Sequence, residues 1–112
     1  MNQEQRLINK VTSLLEERLL REKLIDSRTI PRQCGKTALA VKLAKERNCP
    51  LIVPDYVSKK DVTHRDKKVE VLTLNEIIRW FHGRAMPKQI IIDEISLYEL
   101  GRYSPIAMGF TR

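Results

Sequence analysis

Residues 28–44, RTIPRQCGKTALAVKLA, decide how the rest of the chain is interpreted. Their centre, GKT at residues 35–37, has the ending of a phosphate-binding loop, and good helix formers follow it. Such a loop usually has another glycine five residues before its last one, where this chain has Ile30 followed by Pro31. The stretch is therefore either a nucleotide site with an altered entrance or an ordinary capped helix with an exposed lysine.

The altered entrance has a physical consequence for phosphate binding. Glycine lets a loop leave its strand with unusual backbone angles, whereas Ile30 lacks that freedom and Pro31 has no N–H donor. The remaining N–H groups of the loop and of the next helix can still face a triphosphate. Lys36 would neutralise its β- and γ-phosphates, and the Thr37 hydroxyl would bind magnesium. The predicted nucleotide-binding residues are Arg32, Gln33, Cys34, Gly35, Lys36, Thr37 and Ala38.

The size and composition of the chain limit the classes of protein that it can belong to. Its 112 residues fit one domain, and a composition of 42% hydrophobic and 31% charged residues is typical of a globular protein. No apolar run approaches the ~20 residues of a membrane span, and the N-terminus lacks a signal-peptide core. The two cysteines are too few and too irregularly placed for a disulfide framework or a zinc site. We expect a cytoplasmic protein without a membrane partner.

The net charge of +7 favours anionic partners, of which nucleic acid is the first. Aromatic residues make up only 5% of the chain, so the sequence offers no evident platform for stacking bases. A solvated basic surface explains the same charge equally well. The candidate nucleic-acid-binding residues are Lys59, Lys60, Arg65, Lys67 and Lys68.

Apolar periodicity predicts helices separated by short strands. The helices are expected at residues 2–25, at 37–47 and from about 75 to 81, with a further short helix and a basic loop within 55–68. The one at 75–81 should begin at a cap, Thr73 or Asn75, and turn Ile77, Ile78 and Phe81 inward.

Five short strands are expected, at residues 28–30, 51–53, 69–74, 89–92 and 105–110. Their alternation with helices implies βαβ crossovers and a parallel sheet with helices on both faces. We therefore predict a single α/β domain over residues 1–112, with an N-terminal helix over 1–26 and a core over 28–112. Ligands of such sheets bind at the carboxyl ends of the strands.

The segment QIIIDEISL at residues 89–97 adds a second chemical element. Its three isoleucines predict a buried strand whose end carries Asp93 and Glu94. Asp93 would hold magnesium through water, and Glu94 would polarise an attacking water as a general base. A strand that ends in solvated acids is the alternative. Together with the GKT element in a βα chain, the two carboxylates favour a nucleotide site.

These motifs resemble those of the first RecA-like domain of P-loop motor ATPases, as in helicases of superfamilies one and two and in phage terminase large subunits. PRQCGKT resembles a Walker A form in which Arg-Gln precedes the last loop residues, and IIIDEIS resembles Walker B. LIVPD is similar to the next helicase strand, which contacts DNA or RNA. VEVLTLNEII is similar to the strand and helix that follow it, and IAMGFTR is similar to the helicase coupling motif. The likeness extends over residues 28–112, and small phage-encoded P-loop proteins share its layout.

The resemblance implies a three-layer P-loop fold of the RecA type with a mainly parallel five-stranded sheet and an N-terminal helix. The final strand would lie between the Walker A and Walker B strands. Thr111 at its end would then be a sensor of the γ-phosphate, unless the chain end merely fills the sheet. ATP (or GTP) and Mg²⁺ are the implied cofactors, with Lys36 and Glu94 as catalytic residues and Thr37 and Asp93 at the metal.

Motor ATPases complete their site with an arginine from a second domain or subunit, an effect worth orders of magnitude in rate. A lone domain should therefore bind nucleotide and turn it over slowly. A homo-oligomer, a larger ATPase partner or the chain itself would supply this arginine, or the site lacks one altogether. The internal candidates are Arg32, Arg102 and Arg112.

Two functions from different classes remain open. The first is a weak ATPase in phage DNA metabolism or packaging, or an accessory to a larger ATPase, in the host cell cytoplasm if phage-encoded. The second is a degenerate P-loop protein that docks on a host or viral protein, or on nucleic acid, without significant hydrolysis. A kinase ranks last, because the sequence offers no arginine-rich lid.

Overall fold

The computed structural model describes residues 3–30, 35–83 and 87–112. Helices and strands alternate along these residues. The helices are α1 (Gln3–Glu22), α2 (Lys36–Arg47), α3 (Tyr56–Arg65), α4 (Leu74–Gly83) and α5 (Leu97–Leu100). The strands are β1 (Leu24–Asp26), β2 (Leu51–Val53), β3 (Val71–Thr73), β4 (Ile90–Ile95) and β5 (Ala107–Thr111). Two 3₁₀ turns cover Ser27–Thr29 and Gly101–Ile106.

The five strands form one sheet in the order β1-β5-β4-β2-β3, and every neighbouring pair is parallel. The α/β class and the five-stranded parallel sheet expected from the sequence are confirmed. The last strand, β5, lies between β1 and β4, which is the position that the resemblance implied for it. The ends of β1, β5 and β4 are therefore neighbours at the carboxyl edge of the sheet.

Successive residues of β4 divide the core between the two faces of the sheet. Ile91 packs with the buried residues of α1, α2 and α3, whereas Ile90 and Ile92 pack with those of α4 and α5. Strand residues alternate between faces, so helices cover both sides of the sheet. None of the described helices is long and apolar enough to cross a membrane.

The first strand lies earlier in the chain than the sequence predicted. We expected helix over residues 2–25 and strand over 28–30, but α1 ends at Glu22 and Leu24–Asp26 pairs with β5. Lys23 makes the break with a positive φ of 68°. Ile25 fits both the helical spacing and a buried strand position, so periodicity could not separate them. Pairing with β5 fixes these residues as a strand. The boundary between the N-terminal helix and the core, predicted at residues 26–28, therefore lies at residues 22–24.

Local chemistry explains the start of α4. The Thr73 hydroxyl accepts a hydrogen bond from the Glu76 N–H at 3.2 Å, and the Glu76 carboxylate accepts one from the Thr73 N–H at 3.1 Å. This reciprocal pair is a capping box, so Thr73 is the cap. Ile77 is buried as predicted, but Ile78 is 44% exposed and its inward assignment is wrong. The next residue of a helix points about 100° away, so both cannot face the sheet at this position.

The bounds of three later strands also differ from the predictions. β3 is shorter than residues 69–74, β4 continues beyond Ile92 to Ile95, and β5 begins at Ala107 rather than at residue 105. Pro105 lies in the second 3₁₀ turn, because it has no N–H to give to a ladder. The extension of β4 matters most, since it includes both predicted carboxylates. The predicted inward side chain of Phe81 lies outside the described side chains.

Candidate functional site

α2 begins at the carboxyl edge of the sheet, immediately after Gly35. This glycine precedes the helix with φ 80° and ψ 22°, a left-handed conformation that glycine adopts without strain. Its carbonyl accepts the first helical bond, from the Leu39 N–H at 2.9 Å. Lys36, Thr37 and Ala38 form the first turn, whose N–H groups have no acceptor within the helix. These four predicted residues therefore surround a helix N-terminus.

Three other predicted nucleotide-binding residues, Arg32, Gln33 and Cys34, lie outside the described residues, and so does Pro31. Their assignment stays a prediction. The helix α1 lies close to Gly35, since a Cβ at Gly35 would lie 3.4 Å from Thr12 Oγ1.

β4 contains a bulge at its carboxyl end. Ile92 pairs with Gly109, but the next pair is Ile95 with Thr111, so β4 has one residue more than β5 in this interval. Glu94 absorbs the extra residue with a positive φ of 60°. In a regular strand two consecutive side chains point to opposite faces. A bulge changes this alternation, and β-bulges often direct side chains at functional sites.

The bulge brings both carboxylates to the beginning of α2. The Thr37 hydroxyl donates a hydrogen bond to Asp93 Oδ2 at 2.9 Å. The Lys36 ammonium donates to Glu94 Oε1 and forms an ion pair with it. Two consecutive residues of the helix thus contact two consecutive residues of the strand. The structure brings together the four residues that the sequence selected from two distant motifs.

Asp93 has an unusual environment for a carboxylate. Only 6% of the residue is exposed, and its Oδ1 has no hydrogen-bond partner within the described residues. Burial raises the pKa of this carboxyl, while the hydrogen bond from Thr37 and the charge of Lys36 act in the opposite direction. A buried acceptor without a donor is costly, and a cation or an ordered water would relieve that cost.

The chemistry of these oxygens fits magnesium. Carboxylate and hydroxyl oxygens suit this ion, which in nucleotide sites takes one or two protein ligands, substrate phosphates and water. Among the described residues no group of three or more His, Cys, Asp or Glu side chains could hold a metal by itself.

Thr111 ends β5 at the same edge. The residue is buried, its hydroxyl lies 3.5 Å from the Ile25 carbonyl, and its own carbonyl accepts a hydrogen bond from Ser27 Oγ at 2.6 Å. These contacts fasten β5 to β1 just before the loop. The role of Thr111 as a γ-phosphate sensor stays a prediction.

The sequence interpretation missed Gly109, which supports the bulge. Its φ is 140°, and a Cβ there would overlap the Ile92 carbonyl oxygen. β5 therefore approaches β4 closely at the residue immediately before Asp93. A glycine inside a predicted strand is a signal of such an approach, and it was available in the sequence.

Two of the three candidate arginines are described, and both have partners. Arg102 donates to the Tyr103 hydroxyl at 3.1 Å and lies over its ring at 5.2 Å. Arg112 pairs with Glu99 at 3.1 Å, and its main-chain N–H donates to the Ile95 carbonyl at 3.1 Å. Arg112 therefore lies just after β5 and beside Ile95, the last residue of β4.

The five basic residues predicted to contact nucleic acid do not all line the same groove, and two of them form ion pairs. Lys59 pairs with Glu76 at 2.7 Å, and Arg65 pairs with Asp61 at 3.4 Å. Their charges are thus partly neutralised by acidic neighbours, although both pairs are accessible to solvent.

Lys60 and Lys67 line a shallow groove on α3, together with Lys59. Lys68 lines a different cavity of about 440 Å³, near the start of β2 and the end of α2, where Cys49 also lies. Burial raises the pKa of the Cys49 thiol, which disfavours the reactive thiolate form.

In comparisons with known proteins, no protein-family model, no curated protein and no solved structure significantly matches this chain. Its function is therefore inferred from the residues of the site and their geometry.

Proposed function

We propose that the chain binds a nucleoside triphosphate, ATP or GTP, with Mg²⁺ where α2 meets β4, and hydrolyses it slowly. The observation that carries the proposal is the β4 bulge, which turns Asp93 and Glu94 together toward Thr37 and Lys36. A strand ending in solvated acids would not need this positive φ at Glu94. The proposed fold family is a P-loop domain of the RecA type.

The phosphates would bind at the N-terminus of α2. The N–H groups of its first turn and the helix dipole attract an anion there. Lys36 would exchange its Glu94 partner for the β- and γ-phosphates, which carry more negative charge. The preceding residues Arg32, Gln33 and Cys34 belong to the proposed binding loop.

The metal would lie between the helix and the strand. Thr37 would give its hydroxyl oxygen as a ligand, and Asp93 would act through a water. When bound, Mg²⁺ neutralises the charge that develops on the transferring phosphoryl group. Asp93 Oδ1 is the buried oxygen whose missing partner this arrangement would supply.

Glu94 is the proposed general base. In the protein without nucleotide it is bound to Lys36, so entry of the phosphates would release it to orient a water. Turnover should be slow, because both described candidate arginines are held by Tyr103 or Glu99. A homo-oligomer or a larger ATPase would then supply the arginine that accelerates the reaction.

The proposed setting is DNA metabolism or packaging, or support of a larger ATPase, in the cytoplasm of the host if the chain is phage-encoded. A binding module without significant hydrolysis is the second candidate. The Lys36–Glu94 pair favours it, since these two charges already neutralise each other within the chain.

Titration with Mg-ATP and Mg-GTP tests the proposal. The wild type should bind at least one of them, and Lys36→Ala should weaken binding by a factor of ten or more, because the phosphates would no longer receive a charge-assisted hydrogen bond from Lys36. Lys42→Ala is the matched control, since Lys42 lies on the same helix but pairs with Glu16 and Glu46 on the surface.

If neither nucleotide binds the wild type at millimolar concentration, the nucleotide proposal is wrong. Binding without hydrolysis, with and without added DNA, would support the binding module. Circular dichroism of each variant shows whether weaker binding results from loss of a ligand contact or from unfolding.

A further inference from the structure

The exposed side of α3 carries a shallow groove of about 300 Å³, here called the α3 groove. Its lining residues are Tyr56, Lys59, Lys60, Thr63, His64 and Lys67. Four of them recur at positions i, i+4, i+7 and i+8 of the helix, which is the spacing of a single face. The opposite face of α3 holds the buried Val62 against the core. The groove is therefore a continuous, solvent-facing stripe.

An aromatic ring stands at one end of this stripe. Tyr56, the first residue of α3, is 70% exposed, and its neighbour Val57 is 77% exposed. The apolar ring surface of Tyr56 is thus left in water, although burying an aromatic side chain would stabilise the fold. A flat ligand that stacks on the ring would remove that surface from water.

Two lysines of this stripe, Lys60 and Lys67, are not neutralised by an acidic neighbour among the described residues. Three acidic residues nearby are already paired, Asp61 with Arg65, Asp66 with Lys45, and Glu76 with Lys59. Neither Lys60 nor Lys67 forms an ion pair with any residue in the ranges that the structure describes. Residues 56–68 contain five Lys or Arg and two Asp, within a chain of net charge +7. The groove therefore offers unpaired positive charge beside an exposed ring.

We propose that the α3 groove binds single-stranded nucleic acid, with one unpaired base stacked on Tyr56 and the adjoining phosphates bound by Lys60 and Lys67. Exposed aromatic rings combined with a cationic track are how proteins bind single strands without strong sequence preference. A duplex hides the faces of its bases and would use only the lysines. An acidic peptide would likewise leave the ring without a role.

The α3 groove shares no residue with the proposed nucleotide site. Its residues come from α3 and the segment after it, whereas the nucleotide site uses the start of α2 and the end of β4. Lys36→Ala should therefore leave the binding of a single strand unchanged.

Fluorescence anisotropy of the full chain with a labelled oligothymidylate tests the ring. We expect Tyr56→Ala to weaken binding about tenfold, as is usual when a base–aromatic stack is removed. Tyr98→Ala is the matched control, because Tyr98 is 95% exposed on α5 and lies outside the groove. Tyr98→Ala should leave the affinity unchanged. An oligouridylate of equal length in a parallel titration tells whether DNA or RNA is preferred.

A salt series tests the lysines. For single strands the slope of log affinity against log salt changes by about 0.7 for each phosphate that the protein ceases to neutralise. Lys60→Gln with Lys67→Gln should thus make the slope shallower by about 1.4. The control double variant, Lys10→Gln with Lys88→Gln, removes the same charge from exposed positions elsewhere and should keep the wild-type slope.

Several results would overturn the proposal. One is absence of binding by the wild type at low salt, and another is equal weakening by the Tyr56 and Tyr98 variants. Equal salt slopes for the two lysine pairs would mean a diffuse basic surface. Duplex DNA or vesicles of anionic lipid that compete as well as the single strand, without any effect of Tyr56→Ala, would identify a purely electrostatic surface.

Discussion

The α2–β4 site and the α3 groove use charged residues in opposite ways. At the α2–β4 site the lysine, the threonine and the two carboxylates contact one another, and Asp93 is buried. In the α3 groove Lys60 and Lys67 project into solvent with no ion pair among the described residues. Both regions are proposed to bind phosphates. Lys36 must first give up its ion pair with Glu94, whereas Lys60 and Lys67 are already accessible.

The difference follows from the environment of the charges. A buried or half-buried charge without a partner costs several kcal/mol, so the charged groups of the α2–β4 site contact one another. An exposed lysine is solvated and needs no partner. A ligand of the first site must therefore exchange contacts and can be selected strongly, whereas the second should bind weakly and be sensitive to salt.

Gly109→Ala should have the largest effect on this contrast. The new methyl group would overlap the Ile92 carbonyl beside the bulge, and the positive φ would be strained, so we expect a loss of about 3 kcal/mol or more in the free energy of unfolding. Urea unfolding measures it. Gly101→Ala is the control: its φ is also positive, at 53°, but nothing lies within 4 Å of the added Cβ.

Gly101→Ala should cost only about 1–2 kcal/mol, from backbone strain. Equal losses in the two variants would show that the close approach of β5 to β4 is not what Gly109 provides. If Gly109→Ala remains folded, it should also lose nucleotide binding while the α3 groove keeps its ligand.

Glu94→Gln should separate the two roles of this carboxylate. Hydrolysis should fall roughly 100-fold, because the general base is lost. Nucleotide affinity should rise roughly fivefold, since removal of an ion pair of about 1 kcal/mol leaves Lys36 free for phosphate. Single-turnover assays measure the rate, and titration with a non-hydrolysable analogue measures the affinity.

Glu99→Gln serves as the control for Glu94→Gln, because Glu99 pairs with Arg112 rather than with Lys36. It should change the affinity little. An unchanged hydrolysis rate in Glu94→Gln would remove Glu94 from the role of base, and an unchanged affinity would mean that the Lys36 pair does not compete with nucleotide.

The smallest effect on stability is expected from Asp26, which forms an exposed ion pair with Arg28 like the surface pairs of α3. A hydrogen bond from the Arg28 side chain, followed by one from its backbone, lowers the pKa of Asp26 to about 2. A carboxyl with a lowered pKa stabilises the fold fully above its unfolded value of roughly 3.9 and loses that stabilisation as the pH falls toward 2.

The unfolding midpoint of Asp26→Asn should therefore decrease less than that of the wild type between about pH 4 and pH 2. Thermal unfolding at a series of pH values measures this. Arg28→Gln should reduce the same slope in part, because the backbone hydrogen bond to Asp26 remains. Parallel curves for all three proteins would contradict the assignment.

The sequence predicted the broad architecture well, for identifiable reasons. LIV at residues 51–53 is apolar, short and bounded by prolines, and it forms β2 without any change of boundary. The helix after GKT consists of good helix formers and ends at Asn48, which adopts a left-handed conformation. The first strand could not be located, since Ile25 satisfies helical and strand patterns equally and only pairing with β5 separates them.

The candidate site divides in the same way. The sequence alone was enough to group Lys36, Thr37, Asp93 and Glu94 in one site. Their residue types suit phosphate and magnesium, and the carboxyl ends of parallel strands bring distant motifs close together. Only the tertiary structure decided how they meet. The bulge lies where β5 approaches β4 at Gly109, a long-range contact that no local pattern in residues 89–97 encodes.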